Sequence, residues 1–122
     1  TSFDACLQSL LNFNKIYWIV GGIPKKKDYF NLKNVKKRII KAYIVGKNIS
    51  FFKNQIKRDI PFMITKNIKN AINNIYKDSK LNKNSQATIL LSPGGASFDQ
   101  FKNFENRGNY FKKLVFRKFK RT

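Results

Sequence analysis

Apolar positions in the first segment of the chain follow the spacing of one helix face. They recur at intervals of three and four residues: Phe3, Cys6, Leu7, Leu10 and Leu11. Thr1 and Asp4 have the spacing of a capping box in front of this stripe, so the pattern predicts an amphipathic helix over residues 2–11. Cys6 lies on the stripe, which favours a small buried hydrophobe over a nucleophile.

Four short apolar runs are typical of strands, because they are rich in β-branched and aromatic residues and adjoin glycine or proline. They lie at residues 15–20, 39–45, 60–64 and 87–91. We expect the runs at 15–20 and 87–91 to be buried strands. Pro61 makes the run at 60–64 an edge strand or a poorly formed one.

Helices are predicted between and after these strands, at residues 31–38, 50–57 and 67–76. From Asp99 onward the apolar spacing predicts one short helical turn and then a longer C-terminal helix. Strands that alternate with helices favour an α/β fold in which a mostly parallel sheet is flanked by helices on both faces. At 122 residues the chain has the usual size of a single domain.

In such a sheet ligands bind beyond the carboxyl ends of the strands, and this selects the loops at residues 21–28 and 92–100. The later loop contains a proline and two glycines, after which Ser97 and Gln100 have the spacing of a capping box. The free amides of a helix start favour an anion, so Ser97 and its neighbours suit a carboxylate or a phosphate. The alternative is that Ser97 only caps its own helix.

The earlier loop carries three consecutive lysines, Lys25, Lys26 and Lys27. One of them has the chemistry to pair with an anionic substrate across the cleft, and the alternative is a solvated basic turn. Neither loop contains the G-x-x-x-x-G-K-[ST] pattern of a phosphate loop, and no G-x-G-x-x-G follows a strand. The chain therefore has no predicted nucleotide site of its own.

The net charge of +20 raises the alternative of a basic nucleic-acid-binding domain. Five of the 26 cationic residues are arginines and the other 21 are lysines, and they occur along nearly the whole chain. Arginine is the preferred residue for bidentate phosphate contacts, so this usage favours an A/T-rich genome acting on exposed positions over a polyanion partner. The charge alone is weak evidence for function.

Other residue counts exclude several kinds of site. The chain has one cysteine and no histidine, so neither a disulfide nor a metal site is predicted, and a reducing compartment is favoured. The apolar run at residues 16–20 is too short to span a bilayer, and no signal segment opens the chain. Asp99 and Glu105 are close in sequence, but the cations around them favour structural ion pairs over a catalytic carboxylate pair.

Three stretches carry motifs that recur together in one protein family. Residues 90–115, LLSPGGASFDQFKNFENRGNYFKKLV, are similar to the closing S-P-x-x-A-S-x-D-Q-F-x-N-F-E-x-R-G signature of the Mur ligase family, in the members that add D-glutamate. Residues 16–30, IYWIVGGIPKKKDYF, resemble its strand, glycine pair and substrate lysine, and residues 1–5 resemble the segment before its first helix. The resemblance covers the whole chain in register.

The resemblance implies a single Rossmann-like domain over residues 1–122, the C-terminal domain of a three-domain cytoplasmic enzyme whose N-terminal UDP-binding and central ATPase domains are absent here. The implied reaction joins D-glutamate to UDP-N-acetylmuramoyl-L-alanine through an acyl phosphate made with ATP. ATP and Mg²⁺ would be held mainly by the central domain. We therefore expect the chain alone to bind D-glutamate weakly, to catalyse nothing and to be monomeric, without nucleic-acid or membrane partners.

The resemblance also assigns site residues by position. Lys25 matches the lysine that pairs with one D-glutamate carboxylate, and Thr1 matches a threonine of the same pocket. Three further positions match the residues that hold the other carboxylate: Ser97, Phe98 and Phe104. Lys26 or Lys27 replaces Lys25 if the loop register differs. No catalytic or metal-binding residue is expected in this domain.

Overall fold

A computed structural model describes residues 3–24, 29–82, 86–91 and 104–119, with only the backbone for residues 82 and 104–110. Its helices and strands follow one another in the order α1 (Phe3–Leu10), β1 (Ile16–Gly21), β2 (Ile39–Val45), α2 (Ile49–Ile56), β3 (Phe62–Lys66), α3 (Ile68–Asn82), β4 (Thr88–Leu91) and α4 (Phe104–Phe119). A short 3₁₀ helix, Lys36–Arg38, precedes β2.

The four strands form one parallel sheet in the order β3-β2-β1-β4. This confirms the predicted parallel α/β sheet, and it places β3 at an edge as Pro61 indicated. The strand itself is Phe62–Lys66, two residues later than predicted, because Pro61 lacks an amide and instead accepts a hydrogen bond from the Ala42 amide through its carbonyl.

Strand β1 is buried along its whole length, as its sequence predicted. Its side chains alternate between two hydrophobic clusters, because successive residues of a strand point to opposite faces. Trp18 belongs to the cluster that also contains residues of α1 and α2, whereas Tyr17 and Ile19 belong to the cluster that contains residues of α3 and α4. The domain is therefore a three-layer, Rossmann-like α/β/α structure.

Two predicted elements differ from the structure by more than two residues at one end. Residues 31–38 do not form a helix: only Lys36–Arg38 is helical, and it is a 3₁₀ turn. Only Leu32 and Val35 are buried in this segment, and the Asn31 side chain accepts a hydrogen bond from the Lys33 amide, which competes with helix formation. Helix α3 extends six residues beyond its predicted end, to Asn82.

Strand β4 was predicted to be buried, and this prediction is wrong. Each of its residues is half-buried, because β4 is an edge strand, with β1 as its one neighbour among the described strands. The predicted C-terminal helix is confirmed as α4, Phe104–Phe119, while most of the stretch from Asp99 in which a short turn was expected lies outside the described residues. Within the ranges that the structure describes, no helix is long and apolar enough to cross a bilayer.

A polar cluster joins α3 to β2. Asp78 accepts hydrogen bonds from the Tyr43 hydroxyl at 2.7 Å and from the Lys41 ammonium at 2.9 Å, both at Oδ2. Tyr43 is fully buried, and this burial, reinforced by the hydrogen bond to Asp78, raises the pKa of the phenol well above its ordinary value. The phenol therefore remains a protonated donor throughout the physiological pH range.

Arg38 binds the segment that directly follows α1. Its Nη1 atom donates to the carbonyls of Leu11 at 3.3 Å and Phe13 at 3.1 Å, and to Asn14 Oδ1 at 2.9 Å. Carbonyls beyond the last turn of a helix have no partner within the helix, and a guanidinium suits them by both charge and geometry. Arg38 thus fixes the end of α1 close to the start of β2.

Candidate functional site

The strand order identifies one position in the sheet where a ligand cleft is expected. Strands β2 and β3 lie on one side of β1, whereas β4 lies on the other. The direction of the connections reverses between β1 and β4, and ligands of open α/β sheets bind outside the carboxyl ends of strands at such a switch point. Ile19 pairs with Leu91, so the loops after β1 and β4 leave from neighbouring strands.

Two glycines shape the exit from β1. A Cβ atom on Gly21 would lie 2.1 Å from the Val45 carbonyl oxygen of β2, far inside van der Waals contact. Gly22 has φ 104°, in the region that side chains with a Cβ rarely adopt. The Gly21-Gly22 pair therefore lets β1 pack closely against β2 and then turn sharply towards the predicted lysine loop.

The exits from β2 and β3 are fastened to this turn. Asn48 Nδ2 donates to the Gly22 carbonyl at 2.8 Å, and the Gly46 amide donates to the Lys66 carbonyl at 2.7 Å. Gly46 and Lys66 both have positive φ, at 88° and 70°, and Lys66 is the one non-glycine residue with positive φ within the described ranges. The carboxyl ends of β1, β2 and β3 therefore form a connected frame.

Helix α1 begins on this side of the sheet. Its end lies at the opposite side, where Arg38 holds the Leu11 and Phe13 carbonyls beside the start of β2. At its beginning, the Phe3 ring stacks on Phe30, with centroids 4.2 Å apart and planes 17° apart. Phe30 also contacts two residues of the N-terminal half of α2, a helix that follows the carboxyl end of β2: Phe51 and Phe52. Helix α1 thus begins beside the strand exits.

Helix α4 also begins towards this side. Ile72 of α3 and Leu114 of α4 line the same groove, and Tyr76 packs against Phe119 at 5.2 Å, so the two helices run in the same direction. Helix α4 has ten residues before Leu114, while α3 has only four before Ile72. At about 1.5 Å per residue, α4 starts roughly 9 Å further than α3 towards the carboxyl side of the strands.

Most predicted site residues lie outside the described residues: Thr1, Lys25, Lys26, Lys27, Ser97 and Phe98. Phe104 is the first residue of α4, but its side chain is not described either. The described neighbours of these positions are Phe3, Pro24, Leu91 and the start of α4. The structure therefore brings the flanks of the predicted site to one side of the sheet and leaves the site residues themselves as predictions.

Asn48 is a site-edge residue that sequence reasoning missed. A polar residue two positions after a strand-ending glycine was the available signal, since Gly46 ends the predicted strand 39–45. The signal was weak, because asparagine is abundant in the chain and its bond to Gly22 spans 26 residues.

Cationic side chains are present on both helical layers. Lys53 is exposed on α2, and Lys69, Lys112 and Arg117 are exposed on α3 and α4. A groove of about 300 Å³ between α3 and α4 is lined by three cations, Lys69, Arg117 and Lys118. A nucleic-acid-binding domain is expected to concentrate its cations on one face, whereas exposed cations lie on both helical layers of the described part of the chain.

The fold and the strand order define the class of protein as a Rossmann-like α/β domain with a switch point between β1 and β4, where a ligand cleft is expected. No family profile matches the chain. Several curated proteins, however, are similar to the chain over most of its length. The chain is 41% identical over 114 residues to a UDP-N-acetylmuramoylalanine–D-glutamate ligase of Rickettsia prowazekii, covering 93% of the chain and 26% of that protein.

Two further relatives carry the same name. The Mesorhizobium japonicum protein is 37% identical over 94% of the chain, and the Agrobacterium fabrum protein is 36% identical over 91% of it. The chain spans about a quarter of the length of these relatives, at 25% and 24% of the two proteins. The predicted resemblance to the D-glutamate-adding Mur ligases is confirmed over nearly the whole chain.

Proposed function

We propose that this chain is the C-terminal, D-glutamate-binding domain of a UDP-N-acetylmuramoyl-L-alanine:D-glutamate ligase, an enzyme of peptidoglycan precursor synthesis. The observation that carries the proposal is the similarity to ligases of that name, at 36–41% identity over 91–94% of the chain. The position of the strand exits supports it, because the loops after β1 and β4 leave from paired strands at the switch point.

D-glutamate carries two carboxylates, so its binding requires two separate sites for anions. Lys25, which follows Pro24 directly in the chain, would pair with one carboxylate, and Thr1 would belong to the same pocket. Ser97 and the backbone amides around Phe98 and Phe104 would hold the other, as a helix start does for anions. Lys26 and Lys27 remain alternatives to Lys25 as the cation of this site.

In the proposed reaction, the carboxylate of UDP-N-acetylmuramoyl-L-alanine is activated as an acyl phosphate, and the amine of D-glutamate displaces phosphate to form an amide. ATP and Mg²⁺ supply the activation and would be held mainly by other domains of the ligase. This domain would hold both carboxylates of D-glutamate so that only the amine faces the acyl group, and then close on the ATPase domain. Its contribution is positional, which agrees with the absence of a predicted catalytic residue.

The test is steady-state kinetics of the full-length ligase with Lys25→Ala. One charge-assisted hydrogen bond is worth about 1.5–3 kcal/mol. Its loss should therefore raise the KM for D-glutamate by roughly 10- to 150-fold and leave the KM for ATP unchanged. Lys33→Ala, a substitution of an exposed lysine in the same connection, is the matched control and should change neither value.

An unchanged KM for D-glutamate in Lys25→Ala, Lys26→Ala and Lys27→Ala would remove the lysine loop from the pocket. Failure of the wild-type ligase to release phosphate in a D-glutamate-dependent manner would overturn the proposed function itself. A gel-shift with micromolar affinity for nucleic acid at physiological salt would instead favour the basic nucleic-acid-binding alternative.

A further inference from the structure

We propose that Asn48 is a positioning residue for D-glutamate: by binding the Gly22 carbonyl, it sets the direction in which the lysine loop leaves β1. The inference rests on the proposed function, because it assigns Asn48 a role in that same site. It is carried by the 2.8 Å hydrogen bond from Asn48 Nδ2 to the Gly22 oxygen, which joins the β2–α2 connection to the exit of β1.

Gly22 is the first residue after β1, and its backbone conformation sets the direction of the chain that follows. Strand β1 ends at Gly21, and Gly22 is buried with φ 104°. A glycine can rotate through conformations closed to other residues, so the contacts that fix Gly22 also fix the direction of the next segment. The partly buried Gly22 carbonyl also requires a donor, and Asn48 supplies one.

The residues after Gly22 have little rotational freedom. Pro24 fixes its own φ near about −65°, and its ring restricts Ile23 to extended backbone conformations. Ile23 also forms a β-bridge, so the described segment after Gly22 is held at two points, this bridge and the bond from Asn48. By fixing the Gly22–Ile23 peptide plane, the Asn48 bond acts with this bridge to orient the Ile23-Pro24 segment that leads to Lys25.

Asn48 itself is held on a rigid support. It directly precedes α2, and its carbonyl accepts a hydrogen bond from the Phe52 amide at 3.4 Å. Two residues earlier, the Gly46 amide is bonded to the Lys66 carbonyl of the β3 exit. The Asn48 side chain therefore links the turn after β1 to β2, β3 and α2.

The experiment compares Asn48→Ala and Asn48→Asp with wild type in the full-length ligase. The aspartate is nearly isosteric but has no N–H to donate, and it adds a negative charge near a site for a dianion. We expect the KM for D-glutamate to rise on the order of tenfold in Asn48→Ala and further in Asn48→Asp, with the KM for ATP unchanged, because small misplacements weaken binding strongly.

Asn74→Ala is the matched control. Asn74 Nδ2 also donates to a backbone carbonyl at 2.8 Å, that of Asn70, but on the exposed face of α3. Its removal should leave the KM for D-glutamate unchanged. Hydrogen exchange of residues 16–24, measured on the same proteins without substrate, should accelerate in both Asn48 variants and not in the control.

The outcomes separate the inference from the proposed function. Unchanged KM for D-glutamate in both Asn48 variants overturns the inference, as does a parallel rise in the KM values for D-glutamate and ATP, which would indicate a general structural defect. If the wild-type ligase does not use D-glutamate, the proposed function fails first. Faster exchange at residues 16–24 would then still support Asn48 as the residue that holds the turn, and unchanged exchange would overturn that as well.

Discussion

The polar cluster of Asp78, Tyr43 and Lys41 allows the strongest prediction about stability. Asp78 receives both the buried Tyr43 hydroxyl at 2.7 Å and the Lys41 ammonium at 2.9 Å. Asp78→Ala removes both hydrogen bonds and leaves a fully buried phenol without this acceptor. The helix α3 loses its polar attachment to β2 at the same time.

The size of the effect follows from the exposure of each partner. The loss of a charged acceptor for the Tyr43 hydroxyl costs about 1.5–3 kcal/mol. Loss of the Lys41–Asp78 ion pair costs about 1 kcal/mol more, because the Lys41 side chain is 23% exposed and water partly replaces Asp78. We expect Asp78→Ala to lower the free energy of unfolding by about 3 kcal/mol, or the thermal midpoint by about 12 °C for a domain of this size.

The assay is urea denaturation followed by circular dichroism, with a double-mutant cycle between Asp78→Ala and Tyr43→Phe. Their coupling free energy should be at least about 1 kcal/mol, since the two side chains are in direct contact. Asp59→Ala is the control: Asp59 lies 4.0 Å from Lys36, and the two side chains are 35% and 45% exposed. That substitution should cost less than about 1 kcal/mol.

Two results would refute this reasoning. If Asp78→Ala were no more destabilising than Asp59→Ala, the cluster would contribute no more to the free energy of unfolding than an exposed ion pair does. If the effects of Asp78→Ala and Tyr43→Phe were additive, the short hydroxyl–carboxylate contact would contribute nothing of its own.

Three further predictions concern the strand exit, alkaline pH and the end of α1. Gly21→Ala should destabilise the domain by about 1–3 kcal/mol in urea titrations, because its Cβ would lie 2.1 Å from the Val45 carbonyl; a neutral substitution would mean that β1 and β2 separate easily. The raised pKa of Tyr43 means that, above about pH 10, the unfolded chain loses a phenol proton that the folded chain keeps. Stability should therefore fall as pH rises from 9.5 to 11, less steeply in Tyr43→Phe, and equal slopes would contradict this assignment. Arg38→Met should cost about 1–2 kcal/mol by freeing the Leu11 and Phe13 carbonyls just after α1, whereas Lys37→Met should have almost no effect. Equal midpoints of unfolding for the two variants would show that Arg38 does not stabilise this segment.

The strands of the sheet were predictable where burial is nearly continuous. Strand β2 begins and ends where its sequence indicated, at Ile39 and Val45, because β-branched and aromatic residues fill it and a glycine follows. The structure of residues 31–38 was not predictable in the same way, because Leu32 and Val35 have helical spacing over one turn only. One turn of apolar spacing does not distinguish a helix from an anchored loop.

Contacts between distant residues were beyond sequence reasoning. The Asn48 bond to Gly22 and the Tyr43 bond to Asp78 join residues 26 and 35 positions apart, and neither follows from a local period. The glycine pair was recognised as a strand exit, but the lack of space at Gly21 depends on the path of β2 and required coordinates. The candidate site residues came from family resemblance, and their roles remain predictions.

Strand β1 supplies side chains to both hydrophobic clusters, and this has a consequence for how the domain melts. If either pair of helices detached, one face of the same central strand would be opened to water, so neither half can be lost without weakening the other. The domain should consequently unfold in a single concerted step. Trp18, the one tryptophan of the chain, and Tyr17 beside it report on opposite sides of that strand, and their signals should change together.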